Sequence, residues 1–496
     1  MVGESFPELQ ARFRTLWPAV TMRSIGDVER TIVVVHSLSL EVPEQLIPVF
    51  PAYEERFLCL VLSLLRAPRS RVIYVTSQPI HPRVVDYYFS LVPELDTAEA
   101  RSRFLQVSLC DGRNQPLARK LLERPGAIRR IRSLVGNPEL AMILPFCMTG
   151  AEAQLAVELG LPIYGADPGL NWLGTKKGSR SVFEAEDVSH PIGLEVDAAA
   201  DLPGALRELQ RRAPDARGAV VKLDEGVSGL GNALVDIAAA DADLAGALEL
   251  EDDELTAHDY LAALDREGAI VEERIEGTTF RSPSVQIRVS PAGKVDIMST
   301  HDQVLGGRHG HTYFGCHFPA DAAYAERIAV EALKVGRRLA REGVIGRAAI
   351  DFVAVQDGPA WRTYAVEINL RCGGTTHPNF ALTALTDGKY DPLSAEYRTR
   401  EGDLKYYAAT DHLDSPGYRS LTPDDLLDVV HERGLGWDAE RQTGVVLHMV
   451  SALAVAGRVG VTAIGDTLEE ARGRYYDVKA ALDETVEVLA PHDVAI

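Results

Sequence analysis

The chain has 496 residues, with 51 lysines and arginines against 72 aspartates and glutamates, a formal net charge of −21. That length allows two to four domains with ample cores, and the acidic balance argues against nucleic acid or an anionic membrane as the partner of the surface as a whole. No apolar run approaches the ~20 residues of a membrane span, the first residues lack the basic and apolar regions of a signal peptide, and five scattered cysteines without CxxC pairs favour a reducing cytoplasm over a disulfide framework or a zinc site.

Residues 1–30 read as a helix-rich lead-in. A βα alternation follows, in which the runs 31–36 (TIVVVH), 71–76 (RVIYVT), 103–109 and 141–146 fit buried parallel strands. An alanine-rich helix over 151–159 stops at Gly160, a C-cap residue. These elements predict a Rossmann-like doubly wound domain, without the glycine fingerprint of a dinucleotide site after its first strand. Then come 171–180 (NWLGTKKGSR), a helix, an extended segment at 189–193, a helix near 202–212 and a strand at 218–223. The loop 224–231 (DEGVSGLG) leads into a second strand, 232–237. A phosphate loop would open a helix instead. The stretch therefore reads as a glycine-rich hairpin flap able to fold N–H groups over phosphates, the alternative being a flexible hairpin without a ligand.

Residues 238–266 read as an acidic, alanine-rich helical segment with a solvated face. The stretch 269–277 (AIVEERIEG) is an apolar strand ending in two acids, and 281–289 and 294–299 are further strands. Residues 301–311 (HDQVLGGRHGH) read as a glycine- and histidine-rich loop. His301, His309, His311 and His317 match no standard zinc spacing, so loop or substrate contacts are their expected role. After an amphipathic helix at 324–341 comes a hairpin, 348–355 and 363–369 about a QDGP turn. The period of two sets Glu367 and Asn369 on one face, and a turn centred near 359 sets Asp351 opposite Glu367. Carboxylates facing each other with Cβ atoms ~5 Å apart are destabilising without compensation. Two carboxylates and an amide suit Mg²⁺ carrying phosphates; the alternative is a solvated hairpin with scattered acids. A compositional change near 386–388 opens a C-terminal module of mixed α/β character.

In this order, Lys176, Lys222, the flap, Glu272-Glu273-Arg274-Ile275, Asp351 and Glu367-x-Asn369-x-Arg371 resemble the ATP-grasp superfamily across residues 170–380. The stretches 301–307, 315–320 and 443–449 further resemble the pheganomycin-type peptide ligases. The resemblance implies an α/β and α+β protein. A Rossmann-like pre-ATP-grasp domain (1–168) would precede two α+β subdomains clamping ATP, the first with the flap (169–277) and the second with the metal site (278–390). A small C-terminal α/β module (391–496) would follow. ATP and Mg²⁺ are the implied cofactors.

Lys176 and Lys222 would contact the ATP phosphates and the adenine region, with Gly226, Ser228, Gly229 and Gly231 of the flap over the phosphates. Glu272 would accept from the adenine amino group, with Glu273 beside it and the backbone of Arg274 and Ile275 reading the ring edge. Asp351, Glu367 and Asn369 would bind Mg²⁺, while Arg371 and Lys222 would stabilise the transferring phosphoryl group. Two positions depart from the superfamily: Thr279 stands where many relatives place an acid for the ribose, and Ala349 where some place an arginine. Arg288, Arg281 and Arg347 are the candidates to replace that arginine. The implied activity joins a small-molecule or peptide carboxylate to an amine through an acyl phosphate, releasing ADP and phosphate, with a homodimer left open. A phosphotransferase with a hydroxyl acceptor would use the same machinery. An inactive ATP-binding regulatory protein would have little need of the complete Asp351, Glu367, Asn369 and Arg371 set.

Overall fold

The structure, a computed structural model, describes residues 4–21, 29–40, 49–226, 229, 231–240, 243–252 and 254–489. Strands β1 (Arg30–Val35), β2 (Ser70–Thr76), β3 (Phe104–Ser108) and β4 (Ala141–Pro145) form a parallel sheet in the order β3-β2-β1-β4. Ile32 and Val34 share a core with the helix Leu58–Leu65, and Val33 and Val35 with the helices Leu117–Leu122 and Gly150–Leu159. Burial of alternate residues in different cores is what makes these strands read as continuous apolar runs. The helix Gly150–Leu159 opens on a Thr149–Glu152 capping box and ends at Gly160 with φ of 69°.

An antiparallel sheet comes next, built from β5 (Gly193–Val196), β6 (Gly218–Leu223), β7 (Asn232–Asp236), β8 (Leu248–Leu250) and β9 (Ala269–Glu273) in the order β5-β9-β6-β7-β8. The helices Leu202–Arg212 and Ala257–Glu267 bury Leu206, Leu209, Tyr260 and Leu264 against it. The segment expected to be helical over 238–266 is broken by β8, which pairs with β7 through Ala233 and Leu250. Leu248 and Leu250 point inward with Glu249 exposed between them, a period of two too short to stand out among alanines.

A larger, eight-stranded antiparallel sheet follows. Its strands β10 (Thr279–Val289), β11 (Val295–Gly306), β12 (Thr312–Phe318), β13 (Gly346–Asp357) and β14 (Ala360–Asn369) carry the helix Ala322–Glu342 on Val285, Ile287 and Val289. The expected loop over 301–311 is mostly strand: β11 continues to Gly306, and only residues 307–311 turn before β12. Beyond the short pair β15 (Lys389–Asp391) and β16 (Glu396–Arg398), the C-terminal strands β17 (Tyr406–Asp414), β18 (Gly444–His448) and β19 (Arg458–Gly465) join the same sheet, Cys316 of β12 lying opposite Ala409. Among the described residues no helix is long and apolar enough to cross a membrane.

Candidate active site

Between the five- and eight-stranded sheets lies a cleft of about 780 Å³, and all its lining residues fall between Lys176 and Thr375. Lys176 opens the helix Lys176–Ala185. Thr175 caps that helix, and Asp224, at the base of the flap, adds to it by accepting the Lys177 N–H at 2.8 Å with its side chain and the Lys176 N–H at 3.1 Å with its carbonyl. Ser179, on the same helix, accepts the Ile368 N–H at 3.0 Å and fastens it to β14. Lys176 Nζ is thereby held between the flap and the metal hairpin, 2.8 Å from the Gly226 carbonyl and 2.7 Å from Glu367 Oε1.

The hairpin register sets Asp351 opposite Glu367 and Ala349 opposite Asn369, with a bulge just beyond Asp351. Gln303 Nε2 donates to Asp351 Oδ1 at 2.9 Å and Asn369 Nδ2 to Oδ2 at 3.0 Å. Burial, followed by the charge of Glu367, pushes the Asp351 carboxyl up to about 6. Two converging carboxylates, one of them disfavoured in its charged form, and an amide oxygen make a donor set that a hard divalent cation fits and relieves. His301, His309, His311 and His317 do not assemble into such a set: His301 is buried with Nε2 2.6 Å from the Tyr407 hydroxyl, and the described residues hold no group of three or more His, Cys, Asp or Glu side chains suited to a metal.

At the other end of the cleft, Lys222 Nζ donates to Glu272 Oε2 at 2.8 Å and Arg180 Nη1 to Oε1 at 3.4 Å. The carboxylate expected to receive the adenine amino group is buried and already has two cationic partners, of which Arg180 is buried with it. Arg180, one helical turn after Lys176, was not among the expected residues; the i, i+4 spacing that puts both on one face was the available signal. Glu273 accepts the Ile192 N–H at 2.9 Å with its side chain, while Arg274 and Ile275 line the cleft. Gly229 lines it with φ of 82°, whereas Gly226 and Gly231 sit face to face at the base of the flap, where a Cβ on either would press on the other's backbone. Ser228 lies outside the described residues.

Arg371 lines the cleft, its Nη1 3.4 Å from the Cys372 carbonyl. The other candidate arginines do not. Arg288 lies beyond the lining residues and is neutralised by Asp296, 2.7 Å away on β11, which the hairpin register places directly opposite. Arg347 stacks over Phe380 at 4.3 Å, and Arg281 is exposed. The sequence did not single out Ser282 or Ser284, which line the cleft on β10, where Ser284 pairs with Asp351. Tyr313 of β12 and Thr375 also line it unforeseen.

A family described as IQCH-like, ATP-grasp matches residues 255–391, and one described as PGM1 C-terminal domain matches residues 425–478. An L-propargylglycine–L-glutamate ligase of Streptantibioticus cattleyicolor is 29% identical over 437 residues, 86% of this chain and 88% of the relative. Among solved structures, the biotin carboxylase of Campylobacter jejuni, in a complex with β-γ-ATP, aligns with a TM-score of 0.56 at 12% identity, over 92% of this chain and 95% of that one. An N5-carboxyaminoimidazole ribonucleotide synthetase in its ADP complex aligns with a TM-score of 0.52 at 12% identity, over 92% and 98%. The chain has the ATP-grasp fold. The expectation of an ATP-grasp ligase like the pheganomycin-type enzymes is borne out.

Proposed function

We propose that this protein is an ATP-dependent carboxylate–amine ligase that forms a peptide or peptide-like bond through an acyl phosphate. The observation that carries this reading is the convergence, in one cleft between two sheets, of Lys176, Lys222 and Arg371 with the oxygen set Asp351, Glu367 and Asn369. A carboxylate is a poor electrophile, and its approach to the γ-phosphoryl group brings anions together. Lys176 and Arg371 offset that repulsion. Glu272 holds the Lys222 ammonium in place. Mg²⁺ bound by Asp351, Glu367 and Asn369 would supply further positive charge at the phosphates.

A substrate carboxylate oxygen attacks the γ-phosphorus, the bond to the bridging oxygen breaks, and ADP leaves. The amine nitrogen then attacks the acyl carbon, gives up a proton, and phosphate departs. Amino acids are the first substrates to test, since the S. cattleyicolor relative is named for L-propargylglycine and L-glutamate. The cytoplasm is the proposed compartment, in keeping with five cysteines that are all free. Mass spectrometry of amino-acid pairs incubated with the protein, ATP and Mg²⁺ tests the reading. An amide with stoichiometric ADP and phosphate is expected; AMP and pyrophosphate would refute the acyl phosphate, and a phosphorylated hydroxyl product would replace ligation by phosphotransfer.

A further inference from the structure

The turn at 307–311 belongs to the eight-stranded sheet, yet it is fastened to the five-stranded one. Glu251, just past β8 and 5% exposed, accepts two donors from it, the His309 N–H at 2.9 Å and the His311 N–H at 3.3 Å, and a third, the Thr312 hydroxyl at 3.1 Å, from the first residue of β12. Asn232, the first residue of β7, places Nδ2 3.0 Å from His311 Nδ1. A side chain at Gly229, on the flap, would run into the His311 carbonyl. A buried carboxylate is costly unless donors meet its charge. Glu251 is met largely by this one turn, which fixes the turn over the cleft.

The two imidazoles that the turn carries, those of His309 and His311, line the cleft together with Lys222 and Gly229. His309 Nε2 is buried and has no hydrogen-bond partner among the described residues. With the Asn232 amide as donor, His311 Nδ1 accepts and its proton sits on Nε2, leaving that N–H free to donate. Two imidazole nitrogens with unspent hydrogen-bonding capacity thus sit beside a lysine and a glycine flap, both suited to anions.

We propose that His309 and His311 bind the phosphate chain of the nucleotide, with Glu251 as the positioning residue that aims them. This rests on the reading of the cleft as the nucleotide site. Each imidazole offers its Nε2 to a phosphate oxygen: His311 as the neutral ring that Asn232 fixes with the proton on Nε2, and His309 through the Nε2 that no other group engages among the described residues.

Binding of MgADP and of adenosine to the full chain, followed by calorimetry, separates this from a structural role. His309→Ala and His311→Ala should each raise the Kd for MgADP about tenfold and leave that for adenosine within about twofold. Glu251→Ala should act in the same direction, and Glu251→Gln less so, because the amide oxygen can still accept on one side. In steady state, KM should rise for ATP and not for the carboxylate or the amine. Unchanged adenosine affinity also certifies that each variant is folded. In the unsubstituted protein, nitrogen-15 signals of two histidine rings should move on adding MgADP. Histidine variants that bind MgADP as tightly as the parent, or ring signals that do not move, overturn the assignment. A parent that binds neither ligand overturns instead the nucleotide-cleft reading beneath it.

Discussion

Replacing Glu367 with glutamine keeps the shape of the side chain and removes its charge, which in the folded protein acts on two neighbours. Lys176 Nζ lies 2.7 Å away, the two side chains being 7% and 27% exposed, and Asp351 faces Glu367 across the strand pair. The effects on stability oppose one another. The lysine loses its carboxylate partner and keeps only the neutral Gly226 carbonyl and glutamine amide oxygen, while Asp351 is freed of a like charge. Breaking a fully buried ion pair from one side costs ~3–5 kcal/mol. Solvent screening at the partly exposed Glu367 reduces this to ~1–2 kcal/mol, and relief of Asp351 offsets part of that. Facing carboxylates alone would have the variant melt higher; Lys176 reverses the sign, and Glu367→Gln should melt at most a few degrees below the parent.

The rate should respond far more. Removing one carboxylate from a cation that meets developing negative charge costs ~3–5 kcal/mol at the transition state, or ~10²–10⁴ in turnover. The contacts expected for adenine, at 272–275, are untouched, so affinity for an ATP analogue should fall much less. ADP release measured with amide formation at saturating ATP and Mg²⁺, beside analogue binding and a nucleotide-free melt, separates these quantities. Near-normal turnover would refute the metal-site assignment.

Arg371→Met should lower turnover at least ~100-fold through loss of a charge in the cleft, whereas Arg288→Met, removing an arginine paired to Asp296 outside it, should lower turnover less than about threefold; comparable losses in the two would undo that distinction. Asp224→Ala removes the side-chain acceptor of the Lys177 N–H at the start of the Lys176 helix, which Thr175 still caps, costing ~0.5–1 kcal/mol and raising KM for ATP a few-fold, and a parent-like KM would show that Lys176 needs no such support. Gly229→Ala combines a left-handed backbone with a clash on the His311 carbonyl, so analogue affinity should drop; equal affinity would mean that the flap closes elsewhere. The Glu55 carboxyl is pushed up to about 7 by burial, so its folded form favours the proton: its stabilising effect is complete below the ordinary value near 4.5 and is lost as pH rises through 7, a change of ~3 kcal/mol. The melting advantage of Glu55→Gln over the parent should therefore grow from pH 5 to pH 8, and a constant difference would remove burial of this charge as the cause.

The metal hairpin was legible because its information is local: two period-two runs about one turn fix which residues face each other, and Asp351 does lie opposite Glu367. The extension of β11 was not, because Asp302 and Gln303 are polar for reasons outside the strand. Asp302 accepts the Tyr324 hydroxyl at 2.6 Å and Gln303 meets Asp351, so a strand serving the cleft reads as a loop. Arg288 misled in the same way. Its partner is eight residues away across a hairpin whose register shifts between Gln286 and Ile287, and no local pattern predicts that pairing. Glu272 with Arg180, 92 positions apart, is a product of the fold alone.

Neither the parallel sheet nor the C-terminal strands line the cleft, and the reason they matter lies behind Arg371. The loop after it is held from several directions: the Cys372 N–H donates to the Phe146 carbonyl at 3.0 Å, and Gln286 bonds Thr375 and Thr376. His377, 2% exposed, sits with Nε2 3.0 Å from Asp411 Oδ1, while the other oxygen of Asp411 takes Arg56 Nη1 at 2.6 Å. The Arg56–Asp411 pair is buried on both sides, so removing one member strands the other, while burial disfavours a charge on the His377 ring beside it. Arg56 precedes the helix Leu58–Leu65 of the N-terminal part, Asp411 lies on β17, and His377 stands six residues after Arg371. Through Arg56 and Asp411 the two ends of the chain therefore meet beside His377, on the segment that follows the cleft's arginine.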